Sequence, residues 1–225
     1  MTSTTLDRPT TEQVAEPRSG LLSILGGASF IAAPLLFAAG AWTSPPQDEP
    51  GDAGYIASLA EDPTLSSVSA TFFHYSWVLY AFAAIAAIGL VRGRRGRALT
   101  TIGGLAAAFG AIQFTGLLLS DWFLSSMGNE LASEQSVAVF EGLGDAGFVS
   151  WMLTAKLFGL LGFPVLYAGL ARAGVISWWL VAPSVLPMVA FAVVPGPLGI
   201  ALATACTAAA FVTGWRLVQR GRLAA

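Results

Sequence analysis

YAFAAIAAIGLVRGRRGRALTTIGGLAAAFG, residues 80–110, is the stretch that decides the fold. Two apolar runs flank a knot of four arginines, Arg92, Arg94, Arg95 and Arg97. A helical hairpin in water would repeat polar residues along one face of each helix, and neither run does. Long apolar sequence broken by clustered arginine is the pattern of two membrane-crossing helices joined by a short turn on the cationic side of a bilayer.

Working outward, the same pattern recurs along the chain. Apolar blocks run over 21–43, 67–91, 99–122, 147–170, 176–194 and 197–217. A helix needs about 20 apolar residues to cross a ~30 Å hydrocarbon core, which the first four blocks satisfy comfortably. The last two are separated by PGP at 195–197, read as a tight turn. A single element over 176–217 would be far too long for one span. Of the 225 residues 55% are hydrophobic and 11% charged, too few charges to cover a water-soluble globule. The fold class is therefore all-α: a polytopic transmembrane bundle of about six helices. Residues 1–20 read as a disordered cytoplasmic tail, 21–218 as the six-helix transmembrane domain and 219–225 as a second tail. The first tail mixes Asp7, Glu12 and Glu16 with Arg8 and Arg18, unlike a secretory signal.

Charge placement supports the helix count independently. Of eleven cations, ten flank spans or fill loops. Arg8 and Arg18 precede the first block, Arg92–Arg97 fill one turn, Arg172 another, and Arg216, Arg220 and Arg222 close the last block. A six-helix path puts all of them on one side, which the positive-inside rule makes cytoplasmic, with both termini there. The opposite loops carry acids: Asp48, Glu49, Asp52, Glu61 and Asp62 in one, Glu130, Glu134, Glu141 and Asp145 in the other. Trp42, Trp122, Trp151, Trp178, Trp179 and Trp215 fall at block ends, where amphipathic rings favour the membrane interface; Trp77 lies within a block.

The acidic loops hold two short interfacial helices, DAGYIASLAED at 52–62 and SEQSVAVFEGL at 133–143. Asp52 and Ser133 suit their N-caps. The two hairpins they close resemble each other only in this outline. Small residues at Gly104/Ala108, Ala106/Gly110 and Ala201/Ala205/Ala209 are spaced for close helix packing. Pro34, Pro164, Pro183 and Pro187 should bend helices one, four and five.

Ionisable residues inside a span are the candidates for a site. Lys156, the only lysine, lies about nine residues or ~14 Å into helix four. Its face is shared by Met152, Gly159 and Phe163. Asp121, near the outer end of helix three, is the acid that could pair with it, with Gln113 and Ser120 on the same broad face. His74, the only histidine, heads a stripe with Ser67, Thr71 and Tyr75 that should point into the bundle. The candidate polar site is thus His74, Gln113, Asp121 and Lys156. Each has a plain alternative: satisfying neighbouring hydroxyls and carbonyls in a packed bundle.

No catalytic residue can be assigned. Motifs for nucleotide binding, zinc proteases or a Ser-His-Asp triad are missing from the sequence. One histidine is a poor basis for a membrane haem, and it has no metal-site partners at recognisable spacing. The single Cys206 makes neither an intramolecular disulfide nor a thiolate metal site, and is expected as a buried core residue. The cofactor stays unknown. The net charge of -2 argues against nucleic acid. The implied partner is the lipid bilayer, with self-association or a partner membrane protein left open.

FGLLGFPVLYAGLARAGVISWWL, residues 158–180, resembles a helix hairpin of small uncharacterised multi-helix membrane proteins of bacteria. The Ala/Gly/Arg-rich composition is similar to that of a high-GC actinobacterium. The resemblance implies a bundle in the bacterial cytoplasmic membrane and brings no chemistry with it. Three functions are compatible with these features: a small-solute or proton-coupled transporter, a structural or regulatory accessory subunit, and a membrane enzyme acting on lipid or quinone. A transporter needs a cavity open to one side, an accessory subunit an exposed groove of small or apolar residues, and an enzyme His74 within reach of an acid.

Overall fold

The computed structural model describes residues 20–194 and 196–223. The N-terminal tail expected over residues 1–20 lies, but for Gly20, outside the described residues. Ten α-helices form in chain order: α1 (Gly20–Thr43), α2 (Gly51–Glu61), α3 (Pro63–Ile88), α4 (Arg97–Leu117), α5 (Leu119–Glu130), α6 (Ser133–Leu143), α7 (Val149–Arg172), α8 (Pro187–Val193), α9 (Gly196–Cys206) and α10 (Ala208–Leu223). No strand occurs among the described residues.

Four elements are long and apolar enough to cross a membrane: α1, α3, α4 continued by α5, and α7. A fifth is the pair α9 and α10, bent by 45° between them. The bend has a local cause. The Thr204 hydroxyl donates to Ile200 O and the Thr207 hydroxyl to Thr204 O, back-bonding that pries a helix open. The continuous α4–α5 element is 34 residues long, or about 51 Å at 1.5 Å per residue, so the far part of α5 stands clear of a ~30 Å core.

The bundle is inside-out relative to a soluble protein. Its centre is small: Ala33, Ala83, Ala84, Ala87, Ala107, Ala111, Ala155 and Ala209 are fully buried. Its surface is large and apolar, with Phe82, Ile102, Leu105, Phe109, Ile112, Leu153 and Leu161 all more than half exposed. Such a belt on a monomer in water would be an aggregation site, whereas in lipid it is solvated.

Small residues let the helices touch, though in another register than the sequence suggested. The α4–α7 seam uses Gly103, Ala107 and Gly110 against Leu166, Gly162 and Gly159. A Cβ at Gly162 would lie 2.6 Å from Ala107 Cα and 2.8 Å from Ala106 C, so backbones meet there directly. Gly104 faces Ile88 and Ala84 of α3 instead. Ala201 and Ala205 of α9 are exposed and pack nothing, while Ala209 is buried. Hydroxyls add directional ties. On α3, Ser76 donates to Ala33 O and Ser69 to Gly40 O of α1, both at 2.8 Å.

Helix five does not form as expected. Residues 176–194 make 3₁₀ turns at Trp178–Leu180 and Pro183–Val185, then the short α8. Pro183 and Pro187 each open one of these pieces instead of bending a continuous helix. Proline lacks the N–H donor and clashes with the carbonyl four residues back, so two of them four apart leave no room for a continuous ladder. The segment nevertheless traverses the bundle. It leaves α7 beside Gly96, and its far end, Val194, lies with Gly196 and Pro197 against Ala41–Pro46 at the opposite end of α1. The six long helices expected from the sequence are thus not all present: among the described residues four elements, or five with the bent α9–α10 pair, have the length and apolarity of a span, and 176–194 is not one of them. Gly196 has φ +68, consistent with the expected turn; Pro195 lies outside the described residues.

Three smaller expectations also change. The short helices form as read, but Pro50 and Ala132 occupy the cap positions and Asp52 and Ser133 fall in the first turns. The cap that does form is Asp62, whose Oδ1 accepts from Leu65 N–H at 2.9 Å ahead of α3. The C-terminal tail is helical through Leu223, because α10 runs on past residue 219.

Candidate functional site

The two ends of the bundle differ in charge. At one end the Arg92–Arg97 turn, Arg172 and the end of α10 come together: Arg220 Nη1 donates to Gly89 O, and Gly96 abuts Gly169 and Ala173. At the other end α2, α5 and α6 pack into a cap around Ile56, Leu59 and Leu124. Leu59 O accepts from both Ser66 and Ser125 at 2.8 Å, tying α2 to α3 and α5.

The four expected site residues do not converge. Asp121 belongs to the cap, where Tyr55 of α2 donates its hydroxyl to Oδ1 at 2.7 Å. Burial, then the Asp121 charge and this hydrogen bond, push the Tyr55 phenol well above its usual range, so it remains a donor. His74 Nδ1 lies 3.3 Å from Thr115 O, and its ring packs beside Tyr75 and Trp122. The stripe expected to point inward points outward: Ser67 and Tyr75 are exposed and Thr71 half-buried. The inward polar face of α3 is Ser66, Ser69 and Ser76, one position out of phase at its start. Gln113 faces α7, where its Oε1 shares the Thr154 hydroxyl with Trp151 O. Its Nε2 is sealed in protein without a partner.

Lys156 departs furthest from expectation. It is exposed on the outer side of α7, while its neighbours Ala155 and Gly159 are buried against α4. The expected grouping with Gly159 and Phe163 on one inward face does not hold. No Asp121–Lys156 ion pair forms among the described residues, since Tyr55 is the partner of Asp121.

What the bundle forms instead is a partly open cavity of about 130 Å³. Pro34 and Phe37 of α1, Trp77 and Tyr80 of α3, and Gly159, Leu160, Phe163 and Tyr167 of α7 form one wall. Ser184, Val185, Pro187 and Val189 of the broken segment and Ala203, Thr204, Cys206 and Thr207 of α9 form the other. Cys206 is thus half-buried at a cavity wall and not a core residue. Irregular backbone at membrane depth is tolerated where protein or a cavity covers it, and segment 176–194 meets that condition here.

The cavity is aromatic. Trp77 stacks on Phe114 at 4.3 Å and tilts toward Tyr80; Tyr80 meets Phe163 edge-on at 5.0 Å, and Phe163 leads to Tyr167 at 6.2 Å. No charged residue lines it. Sequence reasoning passed over Tyr80 and Tyr167 by ranking only ionisable residues. The available signal was position: a tyrosine belongs at the interface, and these two stand inside apolar blocks at i+3 from Trp77 and i+4 from Phe163.

No family model matches the sequence, and neither a curated protein nor a solved structure matches it. The chain is therefore described by its own architecture: a multi-pass helical membrane bundle in which the broken segment 176–194 borders an aromatic cavity.

Proposed function

We propose that this chain is a bacterial cytoplasmic-membrane protein, both termini cytoplasmic, that binds a small, largely apolar solute within the bundle as a carrier. The cavity carries this reading. Apolar walls with a few polar groups are the usual form of a small-molecule site. A broken pass lining that site is the arrangement by which helical carriers build a mid-membrane binding place. The scatter of His74, Gln113, Asp121 and Lys156 argues against a polar or proton-coupled cargo and against acid–base catalysis at those residues. The arginine end supports the orientation.

Iodobenzene quenching of Trp77 tests the reading in nanodiscs, with the remaining six of seven tryptophans replaced by phenylalanine. Saturable quenching that Ala203→Phe reduces is expected, because Ala203 is buried at the cavity wall. Quenching that rises only in proportion to lipid partitioning, unchanged by that substitution or by Val185→Phe, overturns it.

An accessory role has one observation in its favour. Ala201 and Ala205 leave a bare stripe on α9 of the kind that receives a neighbouring helix. Cross-linking from Ala201→Cys in a Cys206→Ser chain would find such a neighbour.

A further inference from the structure

The cavity holds two phenol groups with nothing to bond. Tyr80 is 8% exposed and Tyr167 3%, and both line the cavity. Neither hydroxyl has a hydrogen-bond partner among the described residues. Only Gln113 Nε2 and Thr213 Oγ1 are sealed in packed protein without one, so the tyrosine oxygens open onto unfilled space. The other hydroxyls at the wall are spent: Ser184 donates to Val181 O, Thr204 to Ile200 O and Thr207 to Thr204 O. Free donor capacity at this wall lies in the Trp77 indole N–H and in the Tyr80 and Tyr167 phenols, the two phenols standing at the ends of a chain of rings joined by Phe163.

A phenol that opens onto a cavity pairs with water or with a ligand, and a ligand that takes the water's place without loss must bring acceptors. The volume limits what brings them. A dry cavity near 150 Å³ takes one benzene-sized ring, and about 130 Å³ is available here. Anything longer must leave past the half-exposed Val185 and Val189 at the rim. With no charge on the wall, the acceptors must be neutral. Resting on the proposal that this cavity binds an apolar solute, we infer that the bound group is a single carbonyl-bearing ring of the quinone class, its oxygens accepting from Tyr80 and Tyr167 and any tail running out to lipid.

A matched pair of probes tests the oxygens. Tetramethyl-1,4-benzoquinone and 1,2,4,5-tetramethylbenzene share ring and methyl groups and differ in the two carbonyls; the methyl groups exceed one bare ring and lie toward the open rim at Val185 and Val189. The quinone is fully substituted, so the Cys206 thiol has no ring hydrogen to displace. Binding to the full chain in nanodiscs is followed by saturation-transfer NMR, with empty nanodiscs subtracted. The quinone is expected to bind at least about tenfold more tightly than the hydrocarbon, from two hydrogen bonds to otherwise unpaired donors. Tyr80→Phe and Tyr167→Phe should each lower that preference severalfold, and the double variant should abolish it while hydrocarbon binding is kept. Equal affinity in the wild type, or a preference that survives the double variant, overturns the inference. If both probes bind without preference and Ala203→Phe expels both, the cavity reading stands and the oxygen chemistry falls. If neither binds, both fall.

Discussion

Gly162→Ala adds one methyl group where the backbones of α4 and α7 touch. The new Cβ would sit 2.6 Å from Ala107 Cα and 2.8 Å from Ala106 C. Carbon atoms rest at roughly 3.5–4.0 Å, so α4 and α7 must part by about 1 Å. Both clashing atoms are backbone, and no rotamer change relieves them. The displacement also opens the seam at Gly103, Ala107 and Gly110, where the helices otherwise touch along several turns. Overpacking costs roughly 1–3 kcal/mol, here at the upper end, and alanine returns about 1 kcal/mol of helix propensity, leaving a net loss of about 2 kcal/mol. The control is the same change at Gly142 in α6, where a Cβ meets nothing within 4 Å. That variant should gain up to about 1 kcal/mol. Reversible unfolding of the purified protein by SDS titration in mixed micelles, followed by circular dichroism, reads both. A Gly162→Ala protein as stable as the wild type would refute the seam as the element that holds the bundle.

Tyr55→Phe removes the donor to Asp121 and should cost about 1.5–3 kcal/mol, the range for a hydrogen bond to a charged group, by the same titration. It should also change the alkaline limb. The Tyr55 pKa is raised in the folded cap, so between the ordinary tyrosine value near 10 and the folded one the native state holds a proton that the unfolded chain has lost. Its contribution is therefore intact below about pH 10 and falls as pH rises further; the variant should lose that part of the slope, and an unchanged alkaline limb would count against the pairing. Gln113→Met replaces an amide whose nitrogen is sealed without a partner, and should be neutral or stabilising by about 1 kcal/mol, where a clear loss would show that the amide is needed. Lys156→Ala should stay within about 0.5 kcal/mol of wild type, since the side chain is exposed and has no partner among the described residues; a larger loss would place Lys156 in a contact.

The parts of the fold set by solvent and length could be read directly. Apolar runs at 21–43, 67–91 and 147–170 became α1, α3 and α7 with ends moved by a few residues, because the cost of burying unpaired backbone in lipid leaves helix as the default. The short helices of the acidic loops were equally plain from their periodicity. Facing was harder. A soluble helix shows its buried side by its apolar stripe, but here both sides are apolar. What separates them is size, alanine, glycine and serine inward and leucine, isoleucine and phenylalanine outward. The stripe drawn through His74, Ser67 and Tyr75 followed polarity and so chose the outer face. The inner face of the same helix is marked by Ser66, Ser69 and Ser76, whose hydroxyls bond to carbonyls of α1 and α2.

The same distinction explains why the enclosed tyrosines carry little mark in the sequence. Ranking by the cost of burying charge assumes that a polar residue within a span is enclosed by the bundle. Lys156 is within a span and not enclosed. Tyr80 and Tyr167 carry no charge at neutral pH, cost little by that ranking, and are enclosed. Their cavity is bordered by the broken segment 176–194. A continuous helix over 176–194 could pack against α1, α3 and α7 along its length, as α7 packs on α4. Pro183 and Pro187 prevent it, and the resulting 3₁₀ turns and single short helix leave a space about the size of one ring. The two prolines make the cavity and the two tyrosines give it its chemistry.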